Sequence, residues 1–140
     1  LSDVGNLRRI ARRTWYFYET FATAEHNQLP PDNFQEEPEP LVARRTSPTN
    51  IGVYLLSIVS ERDFGWISLT EAVYRISRTL HTVGLMEKHH LYNWYETDTL
   101  CPLKPLYVST VDSGNLAGHL GHSFLHTERM GGNSSGSPAG

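Results

Sequence analysis

Apolar side chains return at helical spacing in three stretches of this chain, and a fourth stretch opens in the same way. From about Asn6 to Thr23, Leu7, Ile10, Ala11, Thr14, Trp15, Tyr18 and Phe21 recur at three- and four-residue steps, which sets them on one helical face. Ile51, Tyr54, Leu55, Ile58 and Val59 form the apolar face of a second helix. Its ends are readable too. Ser47 suits the N-cap, Pro48 the first helical position where its missing N–H costs nothing, and Gly65 a left-handed helix end. A third helix opens at once on Ser68-Leu69-Thr70-Glu71, a capping-box pattern, and Ala72, Val73, Ile76, Leu80 and Val83 carry its stripe to about Met86. So short a joint between two amphipathic helices predicts an antiparallel helical hairpin.

Other stretches break the helical period. Pro30, Pro31, Pro38 and Pro40 fall within eleven residues and favour extended or turn backbone, so Leu29 to Pro40 reads as a surface loop. Pro30-Pro31-Asp32-Asn33-Phe34 nevertheless has the make-up of a binding loop on a rigid scaffold, with turn residues, an aromatic and two short polar side chains. Leu91 to Glu96 is aromatic and strand-prone. Thr97-Asp98-Thr99 reads as a turn, and Leu103 to Val108 as a second extended piece, together an irregular hairpin. A last helix starts near Ser109, capped by Ser109, Thr110 or Asp112, with Leu116 and Leu120 facing inward. After Leu125 the chain turns polar and glycine-rich, so no continuation of that helix is expected. The order is helix, long loop, helix, helix, aromatic hairpin, helix. Alternating short and long connections of this kind suggest a mainly α fold built as part of a helical barrel or toroid, with long loops gathered at one rim.

Composition narrows the picture. With 140 residues, 39% hydrophobic and 19% charged, the chain has room for one packed domain. A net charge of −3 argues against a nucleic-acid partner, and Arg8, Arg9, Arg12 and Arg13 read as a solvated helix side. The single cysteine, Cys101, excludes an internal disulfide or a multi-cysteine zinc site. Without a neighbouring cation in sequence it reads as a buried or inert thiol. No apolar run is long enough to insert in a bilayer, and residues 1–14 lack the apolar core of a signal peptide. With Leu1 in place of Met, the start of translation is expected to lie upstream. The domain is expected to span residues 1–125, followed by a disordered Gly/Ser-rich tail over 126–140.

Catalytic motifs are absent: there is no phosphate-cradling glycine loop and no nucleophile elbow. The His89-His90 pair, His81, His119, His122 and His126 lack the carboxylate or third ligand that a metal site requires, and no cofactor or metal is expected. What stands out is polar density at helix starts. Asp32 and Asn33 lie in the proline loop; Arg45, Thr46, Ser47 and Asn50 precede and open the second helix; Asp112 and Asn115 open the last. Tyr92, Asn93, Trp94 and Tyr95 lie between them in sequence. Sugar rings need such partners, planar aromatics for their C–H faces and Asp, Asn and Arg for their hydroxyls. Taken singly, each residue could equally be a cap or a loop anchor; taken together on one rim, they point to a carbohydrate cleft.

Four segments then carry a resemblance. Leu29–Glu36 (LPPDNFQE), Arg45–Leu56 (RTSPTNIGVYLL), Tyr92–Thr97 (YNWYET) and Tyr107–Gly118 (YVSTVDSGNLAG) closely resemble the cyclic β-1,2-glucan synthase family, in the right order and over roughly Asn6 to Leu120. The resemblance implies a large bacterial inner-membrane protein whose central glucoamylase-like domain, an (α/α)6 barrel on the cytoplasmic face, closes a linear β-1,2-glucan into a ring by transglycosylation. This segment resembles the start of that domain. The implied partners are a β-1,2-glucan or related glucose polymer and the rest of the parent polypeptide. Such chemistry uses a pair of carboxylates, which the resemblance places beyond this segment; Glu96 and Asp112 are the best carboxylates within it, Asp112 as an orienter of a hydroxyl or a helix cap. Twelve barrel helices need on the order of 300 residues. The chain is therefore expected to be a fragment that supplies glucan-binding loops and is inactive alone. Two other readings stay open: a carbohydrate-binding module without turnover, and a helical fragment whose exposed apolar half docks on another chain.

Overall fold

The structure is a computed structural model that describes residues 3–86 and 91–132. It is mainly helical, with 60% of the described residues in helices. Helix α1 spans Asp3–Phe21, α2 Pro48–Asp63, α3 Leu69–Met86 and α4 Thr110–Gly132. A short 3-10 turn follows α1 at Ala24–His26. Two small antiparallel ladders complete it. Strands β1 (Phe34–Gln35) and β2 (Leu41–Val42) pair within the proline loop, and β3 (Arg45–Thr46) pairs with β4 (Tyr95–Glu96).

Local capping sets the helix limits. The Ser47 side chain accepts from the Asn50 N–H at 3.2 Å, with Pro48 in the first turn of α2. At the other end the Trp66 N–H reaches the Glu61 carbonyl and the Gly65 N–H the Arg62 carbonyl, both at 3.0 Å. Gly65 has φ +77°, the left-handed conformation that this helix end requires and glycine adopts without steric cost. Ser68 caps α3 through the Glu71 N–H at 3.1 Å. Only that half of the capping box is as predicted, because the Glu71 carboxylate takes Arg75 Nε at 2.6 Å. Of the candidate caps for α4, Ser109 serves, its hydroxyl accepting from the Asp112 N–H at 3.1 Å. This helix runs to Gly132, well past Leu125 where the change to polar sequence suggested an end. The expected tail falls partly on this helix, and residues 133–140 lie outside the described residues.

Helix α2 is the centre of the core. Ile51, Gly52, Tyr54, Leu55, Ile58, Val59 and Glu61 are all buried along it, more than one face's worth, as befits a helix packed on several sides. Helix α3 folds back on α2 through the short turn after Phe64. Helix α4 packs closely on α2 where Gly52 meets the His119 ring; a Cβ at Gly52 would lie 2.9 Å from His119 Nδ1. Leu116 is buried here and Leu120 packs against the core, the inward pair expected from the sequence. Trp15 stacks on Tyr54 at 6.5 Å, and Tyr18 tilts against the same ring at 5.1 Å.

A buried polar set crosses this aromatic core. Gln28 Nε2 donates to the Ala22 carbonyl at 2.6 Å. Arg75 Nη1 donates to the Tyr54 hydroxyl at 3.2 Å, and its guanidinium lies 5.4 Å from the Trp15 ring centre. Thr79 and Thr82 of α3 donate to the carbonyls of Gln28 and Asn27, whose φ values of 58° and 56° are held by these bonds. The loop is tied on its other side as well. Asn27 Nδ2 donates to the Thr97 carbonyl at 2.8 Å, and His26 Nδ1 meets Asp98 Oδ1 at 2.6 Å, which holds the Asp98 carboxyl below its ordinary range.

Leu7 and Ile10 of α1, and Val73 and Leu80 of α3, keep their helical spacing but are exposed, at 65%, 60%, 47% and 40%. Periodicity identified the faces, but no described element covers them. Cys101 is exposed, not buried. The predicted hairpin does form irregularly, with backbone bonds Asn93–Tyr107, Leu103–Trp94 and Glu96–Cys101, all at 2.9 Å. Its strand β4 also pairs with β3, a long-range partnership that sequence spacing does not encode.

Glu61 is only 4% exposed, and one of its carboxylate oxygens has no hydrogen-bond partner among the described residues. Burial pushes its pKa up to about 7, against the pull of Arg12 and with a smaller push from Glu19. The raised folded-state pKa means that the stability advantage is complete below about pH 4.5 and is lost as pH rises through about 7. Replacing Glu61 with Gln should flatten stability between those limits and raise it at pH 8 by on the order of 2 kcal/mol. Urea melts across pH 4.5–8 check this, and equal pH slopes in both proteins would contradict it.

Candidate functional site

The start of α2 and the loops around it bring most of the sequence-selected residues together. Strand β3 delivers Arg45 immediately before the α2 cap. Its Nε and Nη2 donate to Asp32 Oδ2 at 3.2 and 2.9 Å. Asn33 Nδ2 donates to the same oxygen at 3.1 Å, while Asn50 Nδ2 reaches Asp32 Oδ1 at 3.3 Å. The Arg45 guanidinium lies over the Trp94 ring, 4.9 Å from its centre. The proline loop can present Asp32 here because its backbone is pinned to the segment before β3. The Asp32 N–H donates to the Ala43 carbonyl at 3.1 Å, and the Ala43 N–H to the Asn33 carbonyl at 2.9 Å.

A second carboxylate closes the set from the α4 side. Thr49 hydrogen-bonds Asp112 Oδ1, and Asn115 Nδ2 donates to Thr49 Oγ1 at 3.4 Å. Asn93 links the two halves. In the amide orientation that satisfies both of its ends, it donates to Asp112 Oδ2 at 2.8 Å and accepts from Trp94 Nε1 and the Tyr107 hydroxyl, each at 2.6 Å. An unbroken series of contacts thus runs from Asp32 through Arg45, Trp94 and Asn93 to Asp112.

The selected residues divide by exposure. Asn33, Arg45 and Asn115 are exposed, and Asp32, Asn50, Tyr92, Trp94 and Asp112 are half-buried. Thr46, Ser47, Asn93 and Tyr95 are buried. Ser47 spends its hydroxyl on the α2 cap, Tyr95 packs in the core with its hydroxyl accepting from the Tyr92 N–H at 2.9 Å, and Thr46 lies fully enclosed in β3. These three support the rim from beneath and offer no free surface to a ligand. Sequence reasoning missed Tyr107, and Thr49 as the partner of Asp112. Thr49 sits two residues after a strong cap, where a side chain points out of the helix end, but its partner is far off in sequence.

Beside Asp32 and Asn50 the surface sinks into a hollow of about 100 Å³, lined also by Phe17, Tyr18, Pro30, Pro31 and Val53. Trp94 and Asp112 do not line it. Glu61, the carboxylate most displaced by burial, is twelve residues along α2 from Thr49, about 18 Å at helical rise, and belongs to the opposite end of the helix. Its spacing from Tyr54 and Ile58 sets it on the inward face, the signal by which the sequence shows it. Among the described residues no three His, Cys, Asp or Glu side chains gather as a metal site. His89, His90 and the side chain of His126 lie outside the described residues. Among the described residues no helix is long and apolar enough to cross a membrane.

No family model matches the chain. Over 119 residues, 84% of its length, it is 60% identical to the cyclic beta-(1,2)-glucan synthase NdvB of Rhizobium meliloti (strain 1021). Those residues span 4% of that relative's length.

Asn93 is the joint of the rim, so its truncation should be felt beyond its own volume. Asn93→Ala leaves Trp94 Nε1 and one Asp112 oxygen without their buried partner, and should cost on the order of 2 kcal/mol. Urea denaturation checks this; a loss below about 0.5 kcal/mol, the level of an ordinary surface substitution, would contradict the assigned amide network.

Proposed function

We propose that this chain, which belongs to the cyclic β-(1,2)-glucan synthase family, forms one wall of a glucan-binding cleft in a larger transglycosylating enzyme. One observation carries the reading: Asp32, Arg45, Trp94, Asn93 and Asp112 form a continuous polar and aromatic rim. A glucan offers apolar C–H faces and a dense array of hydroxyls that both donate and accept. Trp94 and Tyr92 supply ring surface for the first, and carboxylates, amides and a guanidinium supply partners for the second. Arg45 already covers part of Trp94, so a sugar stacks beside it or displaces it.

The rim is better suited to holding than to proton transfer. Glycosyl transfer requires one carboxylic acid to protonate the leaving oxygen and a second carboxylate to act on the other side of the bond. Asp32 accepts from Arg45, Asn33 and Asn50, and Asp112 from Thr49 and Asn93. Both side chains thus already serve to hold the rim together. The catalytic pair therefore belongs to other parts of the parent polypeptide, and this chain alone is inactive. In this reading the helices are the opening part of a glucoamylase-like (α/α)6 barrel on the cytoplasmic side of a bacterial inner-membrane protein. Val4, Leu7 and Ile10 of α1 and Leu69, Val73 and Leu80 of α3, exposed here, are then the faces on which its other helices pack.

Titration with linear β-1,2-glucan oligosaccharides, followed by tryptophan fluorescence, should give a saturable change that Trp94→Ala removes. A parallel product assay should find no cyclic glucan. The absence of any saturable response would remove the binding role, and ring closure by this chain would refute its inactivity.

A further inference from the structure

The hollow beside the rim has a make-up of its own. Its walls are the Phe17 and Tyr18 side chains of α1 and Val53 of α2, and its floor is the Pro30-Pro31 pair. Both prolines are fully buried and offer no N–H, so they back the hollow rigidly from beneath. Polar groups enter at one edge only, where Asp32 and Asn50 meet. The two oxygens of Asp32 are unequally used. Oδ2 takes Arg45 through two nitrogens and Asn33, whereas Oδ1 takes a single long bond of 3.3 Å from Asn50. A carboxylate has about four acceptor positions, so Oδ1 has capacity directed to the hollow's edge.

We propose that this hollow is a subsite for one glucosyl ring, with Asp32 Oδ1 and the Asn50 amide holding two neighbouring hydroxyls and the half-buried Phe17 and Tyr18 and the exposed Val53 taking the ring's C–H side. The inference rests on the glucan reading and adds to it the place where a single sugar is gripped. The hollow's volume of about 100 Å³ holds several waters, room for one edge of a pyranose and not for a disaccharide. The rest of the polymer then extends outward along Arg45 and Trp94. Occupying the hollow also bears on Arg45, since the same Asp32 carboxylate anchors it over Trp94.

Calorimetric titration of the whole chain with the β-1,2-linked glucose disaccharide tests this. Val53 is 40% exposed, so Val53→Phe fills the hollow from its solvent side without entering the core. Asn50→Ala removes the amide and leaves the α2 cap, which uses only its backbone N–H. Each should weaken binding by about tenfold or more, the scale of one lost hydrogen-bonding group, with thermal melting unchanged. Ser77→Phe, an exposed site on α3, should bind as the unaltered chain does. If Val53→Phe fails to fold, Asn50→Ala decides. Affinity kept within about twofold in the folded hollow variants, while Trp94→Ala abolishes it, would overturn the subsite and leave the glucan reading standing. No binding by the unaltered chain would instead overturn the glucan reading itself.

Discussion

Thr49 and Asn50 are neighbours in the first turn of α2, and each holds a carboxylate brought from a distant part of the chain. Thr49 bonds Asp112 at the start of α4, and Asn50 bonds Asp32 in the proline loop. Both acids sit near the positive end of a helix dipole, where negative charge is favoured. The position of that turn is itself fixed by Ser47 and Pro48, and Arg45 emerges from β3 just before it. A single short segment, 45–50, therefore sets the spacing between the guanidinium, the hydroxyl and the amide around which the rim is built. Without the cap, Asp32 and Asp112 would have no common point of attachment.

The remainder of the molecule holds that turn still. Trp15, Tyr18 and Tyr54 pack as one aromatic group around the middle of α2; Gln28, Arg75 and Thr79 bond to the Ala22 carbonyl, the Tyr54 hydroxyl and the Gln28 carbonyl, while Trp15 Nε1 has no hydrogen-bond partner among the described residues. Such bonds in a low-dielectric interior are stiff, because displacement leaves a donor or acceptor without a partner. Tying residues 26–28 to both α3 and the 97–98 turn extends this stiffness to the loops on either side of the rim. At the opposite end of α2, Glu61 lies buried with one oxygen unpaired among the described residues.

The features legible in the sequence were those decided locally. Ser47, Pro48, Gly65, Ser68 and Ser109 act within a few residues of themselves, so their roles could be read directly. The rim residues were chosen by chemical type, and the fold draws Asp32, Arg45, Trp94 and Asp112 into one series of contacts. Type could not reveal depth. Thr46 and Tyr95 look like sugar ligands, but their β3–β4 pairing carries them inward. Helical spacing likewise reported that Leu7, Ile10, Val73 and Leu80 form faces, and said nothing about what covers them. The pairings of Thr49 with Asp112 and of Tyr107 with Asn93 are not legible in the sequence because they are long-range. The length of α4 was missed because a polar, glycine-bearing sequence lacks the apolar rhythm by which helices are recognised.

The account stands on the claim that the 45–50 turn organises a surface to which a glucose polymer binds. Hydrogen–deuterium exchange with and without linear β-1,2-glucan measures this residue range by residue range. Slowed exchange confined to 31–34, 45–50, 92–95 and 112–115, with the exposed faces of α1 and α3 unchanged, is the predicted result. Protection on those helix faces with none at the rim would contradict it.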